Sequence, residues 1–346
     1  MTRSLYVPDN LLAVVAGSNQ CYIYYSAELD NLLYQTFGRK GTCLKAFRHP
    51  AIPLDEFPWN PTRGVLLTEC TKAQNLFALH GRSPRVYDIV LLNDTSWAQV
   101  TDYVRPDASP PSDDPDNAVV MKQYGIGTNW DMNKTNWVNG WLVDFGAFHW
   151  TYSERYEKEL IDRAYKFAAW GSREEPYQSV LGTPSQRDMA HRTDVMRLQE
   201  IDFGGKTVLS LGCNLGAFCM DAYDRGAKRV IGVDLSDVAT LAYECANWKG
   251  YWNLDFVGAN LPGEANKIAE QTGIETFDII YALSIDRQIG YAPWMAALCN
   301  DVFFLEGHVP DKEHTYRERL EADFSEVEVL GPTRDHGPRP LFRCKK

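Results

Sequence analysis

Gly212 and Gly216 stand four residues apart after an apolar run, Thr207 to Leu211, and Asp234 closes a second apolar run, Val230 to Val233. These residue types suit a nucleotide-like ligand. Glycines let the backbone approach a ligand closely, and a carboxylate accepts hydrogen bonds from paired hydroxyls. The two runs read as buried parallel strands joined by a loop and a short helix. In open α/β sheets, a loop at the carboxyl end of a strand faces the ligand crevice. The spacing excludes a dinucleotide fingerprint: G-x-G-x-x-G counted from Gly212 meets Asn214 and Ala217 at its other glycine positions.

The run Gly212-Cys213-Asn214-Leu215-Gly216, with Asp234 after the second strand, resembles the first motif of class I S-adenosylmethionine-dependent methyltransferases. The resemblance covers about residues 175–346. It implies S-adenosyl-L-methionine as the cofactor, with the glycine loop under its methionine part and Asp234 on the ribose hydroxyls. On that ground the cofactor contacts are Leu211, Gly212, Cys213, Asn214, Gly216, Asp234, Leu235, Ala282 and Ser284. Ser210 departs from the pattern, because many members carry an acid at that place on the first strand.

The elements that must position these residues follow in order. Ser236 is a candidate N-cap for a helix through Ala246, and Trp252 to Val257 reads as a third strand. Gly263 to Gln271 is helical and ends at Gly273. Phe277 to Leu283 forms a fourth strand, Ala292 to Leu298 a helix, and Asp301 to Glu306 a fifth strand. A charged helix, Lys312 to Ala322, precedes two short runs, Val327–Leu330 and Leu341–Cys344, that read as a closing antiparallel pair. The expected fold class is α/β. A seven-stranded Rossmann-like methyltransferase domain (183–346) follows a smaller α/β domain (1–150), with a bridging helix and linker over 151–182.

The resemblance places the acceptor near the loops after strands four and five and the segment before strand one. After strand four stands Asp286, and after strand five Glu306 and His308; these three are the acid–base candidates. His308 leads them because an imidazole exchanges protons near neutral pH. Tyr177, Arg187 and His191, before strand one, are the substrate-binding candidates, although Arg187 and Arg192 also suit a helix surface. The stretch Leu305-Glu306-Gly307-His308 and the terminal Asp335 to Cys344 look similar to bacterial small-molecule or cell-surface-sugar methyltransferases. No Asn-Pro-Pro-Tyr follows strand four, which favours an oxygen or an ordinary amine over a planar nitrogen.

Composition sets the outer bounds. The chain has 346 residues, 45% hydrophobic and 23% charged, as in an ordinary globular protein. Its net charge is −11, and both halves are acidic: 12 basic against 15 acidic residues through Trp150, leaving 23 against 31 of the totals of 35 and 46. Nucleic-acid binding rests on basic surface, so an RNA (tRNA) methyltransferase is the second reading and a non-catalytic relative of the fold the third. No run reaches the roughly 20 apolar residues of a membrane span. The N-terminus shows no signal design, so cytoplasmic residence is the default. Eight cysteines without a C-x-x-C pair and seven scattered histidines give no metal-site spacing.

In the first half, Leu11–Ala16 and Gln20–Tyr25 read as strands around a Gly17–Ser18–Asn19 turn. Val65–Thr68, Tyr87–Leu92 and Trp141–Val143 are further strand candidates, Asn75–His80 is helical, and Arg105 to Asn117 is an exposed loop. A helix over Ser153–Trp170 carries Tyr156, Leu160, Ala164 and Phe167 on one face. Gly171 to Gly182 is the expected linker. Trp130, Trp137 and Trp141 precede Asp144, His149 and Trp150. Two readings fit: aromatic faces that stack on a sugar, or an aromatic core with an internal Asp144–His149 pair.

Overall fold

The computed structural model describes residues 3–17, 21–47, 59–60, 65–93, 96–104, 120, 123–124, 127–128, 137–138, 141–142, 148–149, 153–168, 177–179, 181–182, 185–285, 289–309, 313–333 and 339–346. The chain divides into two compact units, Met1–Lys158 and Glu159–Lys346. The division falls inside the helix Ser153–Ala168, which the sequence assigns to a bridge.

The first unit is built on strands β1 (Arg3–Leu5), β2 (Val14–Gly17), β3 (Cys21–Tyr24), β4 (Thr42–Phe47), β5 (Val86–Leu92) and β6 (Ser96–Asp102). Their order is β1-β5-β6-β4-β3-β2; β1 runs parallel to β5 and every other pair is antiparallel. Helix α1 (Ala27–Phe37) starts where the Ser26 hydroxyl accepts from the Leu29 amide at 3.0 Å. Leu29, Leu33 and Phe37, four apart on one face, pack with Leu44, Val90 and Val100. Helix α2 (Leu67–Leu79) is fastened to β5 by Asn75, whose amide group bonds both the N–H and the C=O of Val86 at 2.8 and 3.0 Å.

Three expectations shift here. Strand character at Val65 stops at Leu66, and the helix expected from Asn75 already begins at Leu67. Leu11 belongs to a short 3-10 turn, Asp9–Leu11, so the first hairpin strand begins later, at Val14. Among the described residues Trp141 pairs within a two-residue ladder, Trp137–Val138 against Trp141–Leu142, and Val143 lies outside them. The Ser18–Asn19 turn, the Arg105–Asn117 loop, Trp130, Asp144, Trp150 and most of the expected linker lie outside the described residues.

The second unit opens with α3 (Ser153–Ala168) from Glu159 onward and α4 (Met189–Val195). Its sheet comprises β7 (Thr207–Leu211), β8 (Arg229–Asp234), β9 (Leu254–Gly258), β10 (Phe277–Leu283), β11 (Cys299–Glu306), β12 (Glu326–Val329) and β13 (Leu341–Lys345). The order is β9-β8-β7-β10-β11-β13-β12, parallel except for β13, which runs antiparallel to both neighbours. Helices α5 (Ala217–Asp224), α6 (Ser236–Lys249), α7 (Asn266–Thr272), α8 (Pro293–Ala297) and α9 (Glu313–Glu321) supply the crossovers. Leu209, Leu211, Ile231, Val233, Ile280 and Phe303 fill the core from the central strands. Their continuous apolar runs suit strands covered on both faces.

Two local readings change. Ser236 is the first residue of α6 and caps nothing; Leu235 holds the cap position without a side-chain bond. A β-carbon on Gly258 would lie 2.7 Å from the Ser236 hydroxyl, so the serine is packed against the end of β9. The third strand runs Leu254–Gly258, with Trp252 buried just before it. Among the described residues no helix is long and apolar enough to cross a membrane.

Candidate active site

The glycine loop and Asp234 form one unit at the carboxyl end of β7 and β8. Cys213 N–H donates to the Val233 carbonyl at 3.0 Å, and Asn214 N–H donates to Asp234 Oδ2 at 2.8 Å. The other carboxylate oxygen accepts from Leu235 N–H at 2.8 Å. Burial pushes the Asp234 carboxyl above its usual range, and those two amides offset part of that. Asn214 takes a left-handed backbone, φ 52°, and its Oδ1 is buried with no hydrogen-bond partner among the described residues. Gly212 has φ 64°, and a β-carbon there would meet Ile285 Cγ2 at 2.0 Å. Ile285 therefore lies directly on the loop. Upstream, Gln178 is buried and accepts from Ala217 N–H, at the start of α5, at 3.2 Å. The Cys213 thiol is buried, which pushes it well above its usual range and removes it as a nucleophile.

A second cluster closes the carboxyl ends of β10 and β11. Glu306 is 0% exposed and accepts from Arg187 Nη2 at 2.8 Å, Arg192 Nη2 at 2.9 Å and the Thr333 hydroxyl at 2.5 Å, as well as from the Ser284 hydroxyl. Burial alone would push its carboxyl up. The Arg192 and Arg187 guanidinium groups, with the two hydroxyls, outweigh that and hold it at about 2. Ser284 has φ 61°, and its N–H donates to the Glu306 carbonyl at 3.1 Å. Its hydroxyl oxygen also accepts from Arg187 Nη2 at 3.1 Å and Arg339 Nη1 at 2.8 Å. The Tyr177 ring lies 5.2 Å from the Arg187 guanidinium carbon.

This geometry redirects several expectations. Glu306 is the counter-ion of two arginines; fully buried and held at about 2, it is too weakly basic to serve as a proton acceptor. Arg187 is 0% exposed and bonded to Glu306 and Ser284, so it organises the site and does not reach out to a substrate. Arg192 is buried too, which ends the helix-surface reading. Tyr177 lies against Arg187. His191 sits in the first turn of α4, where its N–H donates to the Asp188 cap at 3.1 Å, and its Nε2 is buried without a partner among the described residues. His308 is half-buried, two residues past Glu306. Asp286 lies outside the described residues. Ala282 pairs with Leu211 across β10 and β7, which brings Ser284 beside the glycine loop. The sequence reading missed Gln178, Thr333 and Arg339. Thr333 and Arg339 are 27 and 55 residues from the groups they bond, a separation no local pattern bridges.

The sheet order decides the fold: strands 3-2-1-4-5-7-6, with the seventh antiparallel between its neighbours. The second unit has the class I methyltransferase fold. No protein-family model matches the chain. Protein arginine N-methyltransferase 1 of Dictyostelium discoideum is 28% identical over 152 residues, 41% of this chain and 42% of that protein. Its Saccharomyces cerevisiae namesake is 33% identical over 82 residues, 24% and 22% of the two chains. The chain thus spans less than half the length of these curated relatives. Among solved structures, the bifunctional kinase-methyltransferase WbdD aligns with a TM-score of 0.40 at 20% identity, over 54% of this chain and 45% of that one. The ribosomal protein L11 methylase of Lactobacillus delbrueckii subsp. bulgaricus aligns with a TM-score of 0.34 at 18% identity, over 45% and 78%.

Two stability predictions follow from these contacts. Glu306→Gln leaves two buried guanidinium groups short of a charge and is expected to cost on the order of 3–5 kcal/mol at pH 7, read by urea unfolding. A carboxyl held below its ordinary value stabilises above that value and loses the contribution as pH falls. The wild type is therefore expected to weaken between pH 4.5 and 2, with a shallower slope in the variant. Equal slopes would remove Glu306 as the charged centre. Gly212→Ala is expected to lower stability by about 1–3 kcal/mol through backbone strain and overlap. Adding Ile285→Ala relieves only the overlap, so the pair recovers part of the loss; full additivity would show that the two residues do not touch.

Proposed function

We propose that the protein transfers a methyl group from S-adenosyl-L-methionine to an oxygen or amine of a small molecule or glycan. The observation that carries this reading is the cradle at the carboxyl end of β7 and β8. Asp234 is oriented there by two backbone amides, and Asn214 Oδ1 is buried without a partner among the described residues. A carboxylate with two accepted bonds has lone pairs left for two ribose hydroxyls. A buried amide oxygen gains from a donor arriving in a ligand. Gly212 to Gly216 would run under the methionine part, and Leu235, 53% exposed, offers an apolar face to the base. Leu211, Cys213, Ala282 and Ser284 would shape the floor. When bound, the cofactor supplies an electrophilic sulfonium methyl group.

The chain's own task is then alignment and proton removal. His308 follows the anchored end of β11 and is the proposed base. Asp286, which follows β10 in sequence, is the second candidate. Residues 1–150 are assigned to substrate or sugar binding. A protein arginine acceptor is the second reading, favoured by the two curated relatives. Against it, the Glu306 carboxylate is already paired with Arg187 and Arg192 and is not open to a cationic acceptor. An RNA acceptor has a net charge of −11 against it.

Asp234→Ala is expected to weaken S-adenosyl-L-methionine binding at least tenfold by calorimetry, the scale of one charge-assisted hydrogen bond at about 1.5–3 kcal/mol. Unchanged affinity would refute the cofactor assignment. Incubating the protein with labelled cofactor and cell extract is expected to place label in low-molecular-mass metabolites or glycans. Label confined to protein would overturn the small-molecule reading and point to a protein acceptor.

A further inference from the structure

Among the described residues, the cluster holds a guanidinium group with no carboxylate partner of its own. Arg225, Arg229 and Arg343 each pair with a carboxylate within 3.0 Å. Arg339 has no carboxylate partner among the described residues. Its one side-chain bond goes from Nη1 to the neutral Ser284 hydroxyl at 2.8 Å. Its backbone is fixed by a reciprocal pair with Thr333, N–H to C=O at 3.2 and 3.3 Å, and Thr333 is itself bonded to Glu306.

Ser284 is equally constrained. It holds a left-handed backbone, uncommon for a non-glycine residue. The Glu306 carbonyl accepts its N–H, and the Glu306 carboxylate accepts its hydroxyl proton. Arg187 and Arg339 then use the lone pairs of that oxygen. The hydroxyl is fully committed to presenting Arg339. Such over-determined, strained positions concentrate at ligand sites.

The location gives this arrangement its meaning. The residue after Ser284 is Ile285, which lies on Gly212 of the glycine loop. Arg339 therefore bonds the immediate neighbour of the residue that covers the glycine loop. A guanidinium fork matches a carboxylate or phosphate with two parallel bonds. Fixing it beforehand lowers the ordering cost of binding. With a net charge of −11 the chain as a whole repels anions, so capture of an anion needs a local site of this kind.

We infer that Arg339, held by Ser284, binds a carboxylate or phosphate group of the methyl acceptor and sets that acceptor beside the glycine loop. The inference rests on the methyl-transfer reading and narrows its acceptor to an anion. It also separates the acceptor from an arginine side chain, which Arg339 would repel.

The test uses the full chain, with inorganic phosphate and 13C-labelled acetate titrated separately and followed by ligand-observed NMR. S-adenosyl-L-methionine is titrated on the same preparations by calorimetry. Saturable binding of one anion is expected, phosphate marking a phosphorylated acceptor and acetate a carboxylic one. Arg339→Gln is expected to weaken it at least tenfold with cofactor affinity retained. Arg339→Lys, which keeps the charge but loses the fork, is expected to fall between. Arg317→Gln, on the exposed face of α9, is expected to match the wild type. Cofactor binding with no anion binding, or with equal anion binding in Arg339→Gln, overturns the anion site and leaves methyl transfer standing. Anion binding without cofactor binding overturns the methyl-transfer reading on which the acceptor role depends.

Discussion

The Glu306 carboxylate is the point on which the carboxyl ends of β10 and β11 depend. It joins four stretches distant in sequence: the segment around Arg187 and Arg192, the end of β10 at Ser284, the end of β11, and Thr333 before the last strand. Burying a carboxylate costs several kcal/mol unless charge partners and hydrogen bonds satisfy it. Here two guanidinium groups and two hydroxyls do so. The same bonds that hold the carboxylate charged also fix Ser284 in its left-handed conformation and, through it, the guanidinium group of Arg339. Stability and geometry at this end are one arrangement.

The carboxyl end of β7 and β8 is built differently. Its shape comes from backbone: amide donors on Asp234, a left-handed Asn214, and a glycine onto which Ile285 packs. Few side chains are needed, because a nucleotide-like ligand is met mainly by main-chain atoms and one carboxylate. The two ends touch where Ile285, the neighbour of Ser284, covers Gly212. The Glu306 cluster and the glycine loop are thus joined through Ser284 and Ile285.

This contrast explains what the sequence made readable. The glycine loop, Asp234 and the strand sequence from Thr207 to Glu306 are local patterns, and the fourth strand, Phe277–Leu283, agrees with its expected bounds. The fold class follows from that order of strands. The Glu306 cluster is non-local. Arg187 and Arg192 have the composition of a surface basic cluster, yet both are buried, because their partner lies 119 and 114 residues away. Glu306 stands at a strand end, where an exposed catalytic carboxylate also stands, and only the tertiary contacts separate the two roles. Ser236 has the residue type of a helix cap but is packed against Gly258. In the first half, the Leu67–Leu79 helix is longer than its pattern suggests because it buries polar residues: Thr71 bonds Gln99 of β6, Asn75 bonds Val86 of β5, and Gln74 bonds Pro84 just before β5. Polar residues facing a core blur the apolar period.

The account stands or falls on the cradle at β7 and β8. Its most direct test is an experimental structure of the protein with S-adenosylhomocysteine bound at millimolar concentration. The expected result places both ribose hydroxyls within hydrogen-bond distance of Asp234, a donor of the ligand on Asn214 Oδ1, and the amino-acid part over Gly212 to Gly216. A ligand bound elsewhere, or no binding at that concentration, would contradict the assignment of this site to methyl transfer.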